Sequence, residues 1–155
     1  MENTAKKNPT TIYIIRHAEK ENDTKNTDLS SEGFERAENW KKYFEDTAID
    51  AFYSSGFQRA RHTCQPMAFS RDKVVSIYKN HLMDLKNIIE DHKGETVLIV
   101  GHSNRIPTFI NKLVGQEKYP EISEPEFGNL YIIKELDNEI STELLVPIIT
   151  QNASI

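Results

Sequence analysis

Residues 12–20 read IYIIRHAEK, and the first four of them form a continuous apolar run. A short run of this kind, without polar alternation, is typical of a strand that is buried on both faces of a parallel sheet. The run ends at Arg16 and His17. The sequence therefore predicts a central strand that carries an arginine and a histidine at its carboxyl end.

Strand and helix patterns alternate along the rest of the chain. Further strands are predicted at residues 51–54, 74–78 and 97–100, and a final hairpin at a sheet edge is predicted from residues 129–134 and 143–149, joined by Asp137-Asn138. Helices are predicted from the cap residue Ser30 to Phe44, from Gln58 to Met67, from Asn80 to His92, and from Asn104 to Val114 before Gly115. This alternation indicates a layered α/β domain.

Helical spacing also predicts which side chains face the sheet. In the first helix, helical spacing is shown by Phe34, Ala37, Trp40 or Lys41, and Phe44, and the apolar members of this set are expected to pack on the sheet. In the third helix, one shared face is predicted for Leu82, Leu85, Ile89 and His92.

The length and composition fit one ordinary globular domain. The 155 residues are expected to form a single domain, with the polar residues 1–10 as a loose arm. The net charge of −5 argues against a nucleic-acid partner, because duplex binders usually present a basic face. No apolar run approaches the roughly 20 residues that a membrane span needs, so we expect no membrane partner.

The amino terminus and the cysteine content bear on compartment and metal chemistry. The first residues, MENTAKKNPTT, lack the apolar core of a signal peptide, so we expect a cytoplasmic protein, although a mature exported form would begin in the same way. Cys64 is the sole cysteine, which rules out an intrachain disulfide and a thiolate zinc cluster. We expect Cys64 to be a small buried residue on a helix.

Basic residues follow three of the predicted strands. Arg16 and His17 follow the first, Arg59 follows the second, and His102 with Ser103 follows the fourth. In open α/β sheets, ligands bind beyond the carboxyl ends of the parallel strands. We therefore expect two histidines and two arginines to meet at one rim.

This set of residues suits phosphoryl transfer. The transferred group carries negative charge on three oxygens, which must be stabilised in the transition state, and arginine offers a fork of donors that matches them. A neutral imidazole is a competent nucleophile at neutral pH. To attack through one ring nitrogen, His17 must keep its proton on the other, and a backbone carbonyl could fix that tautomer. His102, if protonated, would be a further cationic donor.

Three strings, in this order, resemble the histidine phosphatase (phosphoglycerate mutase-like) superfamily. IIRHAEK at residues 14–20 resembles its Arg-His signature, FYSSGFQRARHT at 52–63 resembles its Ser-Ser and Arg-Ala element, and VLIVGHSN at 97–104 resembles the element with the second histidine. Asp28-Leu29-Ser30 with Gly33 and Ala37 also resembles the family's helix start. The ordered combination is far more specific than any one string.

The resemblance implies a fold and a set of roles. It implies a three-layer α/β/α sandwich with a mostly parallel sheet and an antiparallel edge strand. His17 is similar to the nucleophile that becomes phosphohistidine and is then hydrolysed, and Arg16, Arg59 and His102 resemble the other members of the phosphate pocket. Backbone amides near Ser103 are expected to add donors at a helix amino terminus. No metal or cofactor is expected, because cationic side chains neutralise the charge.

The general acid is the point at which the sequence departs from the family pattern. Many members carry a glutamate between the second and third elements, and here the corresponding stretch offers His81 and Asp84, which also fit as polar residues at a helix start. The acid-phosphatase branch has an aspartate after the second histidine, where this chain has Ser103. The lack of a clear acid leads to the hypothesis that the substrate has a good leaving group, as in a phosphoramidate or an anhydride.

The expected partner is a phosphorylated small molecule or a phosphohistidine protein. One alternative is a binding module of the same fold that holds a phosphorylated ligand without turning it over. A second alternative is a metallohydrolase that uses His17 and His102, but no close metal-binding spacing supports it. The sequence leaves the physiological substrate and the oligomeric state open.

Overall fold

Strands and helices alternate along the chain in a computed structural model, which describes residues 7–149. The strands are β1 (Thr10–Arg16), β2 (Ala51–Ser55), β3 (Val75–Tyr78), β4 (Thr96–Gly101), β5 (Leu130–Leu136) and β6 (Glu139–Leu145). The helices are α1 (Ser31–Tyr43), α2 (Gln58–Phe69), α3 (Leu85–Asp91) and α4 (Ile106–Val114), with a single 3₁₀ turn at Asn80–Leu82.

The six strands form one sheet in the order β3-β2-β4-β1-β5-β6. The first four strands in that order are parallel to one another, whereas β5 runs antiparallel to β1 and β6 antiparallel to β5. The predicted α/β class with a mostly parallel sheet is confirmed. The predicted antiparallel edge is a two-stranded hairpin.

The layers follow from the side chains of β4. Val97 and Ile99 lie in one apolar cluster with Ile88 of α3 and Ile110 of α4. Leu98 and Val100 lie in a second cluster, whose members from α1, its C-cap and α2 are Trp40, Phe44, Ala60, Cys64, Met67 and Ala68. Because alternate residues of a strand point to opposite faces, the sheet is covered on both sides, as the predicted three-layer sandwich requires.

The second strand of the hairpin begins and ends earlier in the chain than predicted. Asp137 and Asn138 form its turn, as expected, and both have positive φ, 53° and 69°. Two-residue turns with two left-handed residues match the twist of paired strands, so pairing resumes at once. The last strand therefore covers residues 139–145, and the predicted span of 143–149 is wrong at both ends.

The helix predicted from Asn80 to His92 is confirmed only from Leu85 onward, and its predicted start is wrong. Asn80 begins only a 3₁₀ turn, and α3 starts afresh at Leu85 with Asp84 as its N-cap, whose Oδ1 accepts from the Lys86 amide at 2.9 Å. An aspartate favours the cap over a helix interior. As a result Leu82 lies outside α3 and is 66% exposed.

Two predictions at helix starts have different outcomes. Ser30 caps α1 as predicted, because its side chain accepts from the Gly33 amide at 3.1 Å. Phe34, in contrast, does not pack on the sheet and is 45% exposed. It lies in the first turn of α1, where its ring contacts His62 with the centroids 6.1 Å apart.

The predicted amino-terminal arm is described only from residue 7 onward. Residues 1–6 of the predicted arm lie outside the described residues, and Thr10 already belongs to β1. Within residues 7–149, no helix has both the length and the apolar character to cross a membrane.

Candidate functional site

The carboxyl ends of β1, β2 and β4 lie at one edge of the sheet. Arg16, the last residue of β1, pairs with Gly101 of β4, and the His17 amide donates to the Gly101 carbonyl at 2.9 Å. His17 and His102 therefore leave adjacent parallel strands side by side. Their ring centroids are 5.1 Å apart at an interplanar angle of 56°. The structure brings the two predicted histidines together in a buried site.

His17 is held in one tautomer by its neighbour. Its Nδ1 lies 2.7 Å from the carbonyl oxygen of Ala18, and the side chain is almost fully buried. A carbonyl only accepts, so Nδ1 carries the proton and Nε2 keeps its lone pair. Burial lowers the pKa of His17 to about 3, the Ala18 contact opposes that shift, and the charges of His102, Arg16 and Arg59 add to it. A neutral imidazole with a free Nε2 is the form that a nucleophile needs.

His102 is oriented by a buried hydroxyl. Its Nε2 lies 2.7 Å from Oγ of Ser55, the last residue of β2. Burial lowers the pKa of His102 to about 4, with further lowering by Arg59, Arg16 and Arg105. At neutral pH, His102 is therefore uncharged in these surroundings. A neutral ring can still donate one hydrogen bond, and nearby negative charge would favour its protonated form.

Arg16 is enclosed by the loop between α4 and β5. Its Nη1 donates to the carbonyls of Ser123, Glu124 and Glu126 at 3.4, 2.8 and 2.9 Å. Its Nη2 lies 3.5 Å from the Glu124 carboxylate, and the guanidinium stacks over the Phe127 ring at 4.0 Å. The Nε of Arg16 is buried and has no hydrogen-bond partner among the described residues. A buried donor without a partner is costly unless a ligand satisfies it.

Arg59 is likewise held by a backbone carbonyl and an aromatic ring, and that ring contacts His102. Its Nη1 donates to the Lys25 carbonyl at 2.9 Å, and its guanidinium lies 4.7 Å from the centre of the Phe57 ring. The Phe57 ring in turn packs edge-on against His102 with a centroid distance of 5.2 Å. The Nε of Arg59 is likewise buried and unpartnered within residues 7–149. Both arginines lie close enough to His17 to lower its pKa.

Ser103 lies beside the histidine pair but not at the start of a helix. α4 begins at Ile106, and the amides of Arg105 and Ile106 both donate to the His102 carbonyl. The residues predicted to supply anion-binding amides therefore belong to the turn that precedes α4. The carbonyl of Ser103 accepts from the Ile122 amide at 3.2 Å, which ties this turn to the loop around Arg16.

The two candidate acids, Asp84 and His81, make no hydrogen bond to the two histidines of the site within residues 7–149. Asp84 caps α3 and lies 3.8 Å from Lys112, and His81 is exposed in the 3₁₀ turn. Among the hydrogen bonds of residues 7–149, neither side chain reaches His17 or His102. The identity of a general acid stays a prediction.

Several residues around the histidines were not singled out from the sequence. Ser55 and Thr63 lie inside the quoted FYSSGFQRARHT string, so their position next to Arg59 was a usable signal. Phe127 and Glu124 come from a loop without a recognisable motif. Only the folded chain brings that loop onto Arg16.

Glu19 supports the first motif from behind the pocket. Its carboxylate accepts three hydrogen bonds from Arg36 of α1, at 2.7 to 3.0 Å. A side chain at Gly33 would overlap the Glu19 carbonyl, so the close approach of α1 to this segment requires glycine. As for metal ligands, the part of the chain from residue 7 to 149 has no group of three or more His, Cys, Asp or Glu side chains suited to a metal ion.

Comparisons with known proteins bear on the family and the fold. The family model "Histidine phosphatase superfamily (branch 1)" matches residues 12–84. A search of curated proteins found no match.

Several solved structures share the fold at low sequence identity. A phosphoserine phosphatase mutant of Entamoeba histolytica, solved with phosphoserine, has a TM-score of 0.71 and 16% identity over 86% of this chain and 94% of its own. A phosphoglycerate mutase of Bacillus anthracis has a TM-score of 0.71 and 16% identity over 90% and 93%. An alpha-ribazole phosphatase of Shigella flexneri has a TM-score of 0.67 and 18% identity over 88% and 96%. The matched family model and the shared fold confirm the predicted resemblance to the histidine phosphatase superfamily.

Proposed function

We propose that this protein is a phosphatase in which His17 takes the phosphoryl group of its substrate. The observation that carries the proposal is the contact of His17 Nδ1 with the Ala18 carbonyl. It leaves Nε2 with a lone pair in a buried site beside two guanidiniums. This is the form required for nucleophilic attack on phosphorus.

The reaction has two steps. In the first, the Nε2 lone pair of His17 attacks phosphorus, the bond from phosphorus to the leaving group breaks, and the leaving group departs with that electron pair. In the second, water attacks phosphorus, the bond to Nε2 breaks and its electrons return to the ring, and the water proton passes to solvent. The products are inorganic phosphate and the neutral His17.

Arg16, Arg59 and His102 stabilise the charge on the phosphoryl oxygens in this proposal. The unpartnered Nε donors of the two arginines support that role, because an oxyanion would satisfy both. His102 donates through the ring nitrogen that Ser55 does not occupy. Ser103 is proposed to add a donor from the turn that follows. The side chains supply the positive charge, so we propose that the reaction needs no metal ion.

We propose a phosphorylated small molecule or a phosphohistidine protein as substrate. One structural neighbour is described as bound to phosphoserine, which supports a phosphorylated ligand of modest size. Because the structure gives Asp84 a capping role, we prefer a substrate whose leaving group needs little help from an acid, such as a phosphoramidate. The cytoplasmic location stays a prediction from the sequence.

The test is to trap the intermediate. The wild type and His17→Ala are mixed with phosphoramidate or an alkyl phosphate, quenched in alkali, and analysed for phosphohistidine. We expect phosphohistidine at residue 17 and a burst of product in the wild type, and no turnover in His17→Ala. His81→Ala, which removes an exposed imidazole, serves as the matched control and is expected to form the intermediate.

The same assay, with ligand binding and turnover in a chelator measured as well, separates the alternative functions. Phosphate-ligand binding without phosphohistidine would favour the binding module, and loss of turnover in a chelator would favour a metallohydrolase. Comparable or faster turnover of the alkyl phosphate would overturn the preference for a phosphoramidate.

A further inference from the structure

The hydroxyl group of Thr63 connects the segment that carries His17 to the helix that carries Arg59. It lies on α2, one turn after Arg59, and is completely buried. Its Oγ1 accepts from the Ala18 amide at 2.9 Å and donates to the Arg59 carbonyl at 2.7 Å. The hydroxyl therefore joins the backbone of the residue after His17 to the backbone of Arg59.

The hydrogen bond from the Ala18 amide to Thr63 is important because the Ala18 carbonyl contacts the His17 ring. The β1–β4 pairing ends at Arg16 with Gly101, so the Ala18 amide lies beyond the strand ladder and needs another acceptor. Thr63 is that acceptor, and the Ala18 carbonyl contacts Nδ1 of His17 at 2.7 Å. Without the Thr63 bond, the Ala18 backbone would be free to turn its carbonyl away from the imidazole.

We propose that Thr63 is a positioning residue for phosphoryl transfer. The hydrogen bond to the Ala18 amide fixes the Ala18 backbone and so keeps the proton of His17 on Nδ1. The hydrogen bond to the Arg59 carbonyl fixes the position of Arg59 relative to His17. The role in transfer rests on the proposed function. The effect on the His17 tautomer is a property of the folded protein and can be measured without any reaction.

An ordinary helical threonine does only part of this. Bonding to the carbonyl four residues earlier is common for threonine within helices. Thr108 of α4 does so, with its Oγ1 3.1 Å from the Asn104 carbonyl. Thr63 makes the same local bond and also accepts from an amide 45 residues away in the chain. Valine has the shape of threonine, so replacement of Thr63 by valine removes the hydroxyl and little volume.

The direct test is the tautomer of His17 by ¹⁵N NMR, with the signal assigned by its loss in His17→Gln. We expect the wild type to show the Nδ1–H form and Thr63→Val to show a mixture with the Nε2–H form. Thr63→Ser keeps the hydroxyl and should restore the wild-type spectrum. Thr108→Val is the matched control and should leave the His17 signal unchanged.

The kinetic test is the rate of phosphohistidine formation from phosphoramidate. A misplacement of about 1 Å in an active site can cost on the order of 100-fold in rate. We expect a loss of about that size in Thr63→Val, a much smaller loss in Thr63→Ser, and none in Thr108→Val. If circular dichroism shows that Thr63→Val does not fold, Thr63→Cys takes its place, because a thiol is a weak donor and acceptor and should give a smaller loss in the same direction.

The outcomes distinguish this inference from the proposed function. A wild-type tautomer and a wild-type rate in folded Thr63→Val would overturn the positioning role and leave the phosphatase intact. If the wild type itself forms no phosphohistidine, the proposed function fails. In that case an unchanged His17 spectrum in Thr63→Val would also overturn the tautomer role.

Discussion

The two arginines of the site differ in how firmly the protein holds them. Arg16 is almost fully buried, and three loop carbonyls accept from its Nη1. Arg59 is half-buried, and one carbonyl, that of Lys25, accepts from its Nη1. Replacing Arg16 would remove the donor from three part-buried carbonyls of this loop, which would cost stability in addition to any effect on the proposed pocket. Arg59 is therefore the better residue for testing the pocket alone.

We expect Arg59→Ala to lower kcat/KM. The expected decrease corresponds to a loss of about 3 kcal/mol of transition-state stabilisation, which is typical when one oxyanion contact is removed. The physical reason is the loss of a guanidinium whose buried Nε has no partner within residues 7–149. Steady-state kinetics with phosphoramidate measure the loss. Arg61→Ala is the control on the same helix, because the Arg61 Nε bonds the Gly56 carbonyl. Wild-type kinetics in Arg59→Ala would contradict the pocket assignment.

At the scale of elements, the start of α1 supports the segment that carries His17. Ser30 caps the helix, Gly33 lets it approach the Glu19 carbonyl, and Arg36 one turn later binds the Glu19 carboxylate. α1 is thus joined to the first motif by backbone and side-chain contacts. These contacts explain why Gly33 occupies a helical position that glycine otherwise weakens.

We expect Gly33→Ala to destabilise the protein by about 1–3 kcal/mol, the usual cost of an overpacked site. The new methyl group would overlap the Glu19 carbonyl, so either α1 or the segment after His17 must move. Chemical denaturation measures the free energy of unfolding. Gly56→Ala is the control, because the nearest atom to a Cβ there is 3.7 Å away. Equal stabilities for the two variants would show that the segment adapts without cost.

At the scale of the whole molecule, the sheet buries two histidines in a neutral form. The ordinary pKa of 6.5 falls to about 3 for His17 and to about 4 for His102, mainly through burial. Between pH 6.5 and the lowered pKa of each histidine, that histidine is protonated in the unfolded chain and neutral in the folded protein. Stability therefore rises with pH across this window and is lost as the pH falls through it.

We expect the free energy of unfolding to decrease from pH 7 to pH 4.5 and this decrease to be smaller in His17→Gln. The variant removes one of the two groups that the folded protein keeps unprotonated. Urea denaturation at a series of pH values provides the measurement. His81→Gln removes an exposed imidazole and serves as the comparison. A wild-type pH dependence in His17→Gln would mean that His17 is not held neutral by the fold.

Much of the fold could be predicted because it depends on local patterns. The apolar runs at Ile12 and Val97 become strands buried on both faces, and Ser30 and Gly115 bound helices as predicted. The predicted bounds of helices and strands were wrong where capping or turn-forming side chains outweigh the hydrophobic periodicity of the sequence. Asp84 caps a new helix instead of continuing the one begun at Asn80, and the Asp137-Asn138 turn starts the last strand earlier than its apolar residues suggested.

The sequence by itself determined that Arg16, His17 and His102 lie at the ends of strands, because an apolar run followed by polar residues can be recognised without a structure. Only the tertiary structure decided how these groups behave. Strand order places His102 beside His17, the loop before β5 encloses Arg16, and Thr63 reaches Ala18 from another helix. The pKa of a histidine depends on burial and on charges close in space, and sequence separation conveys neither.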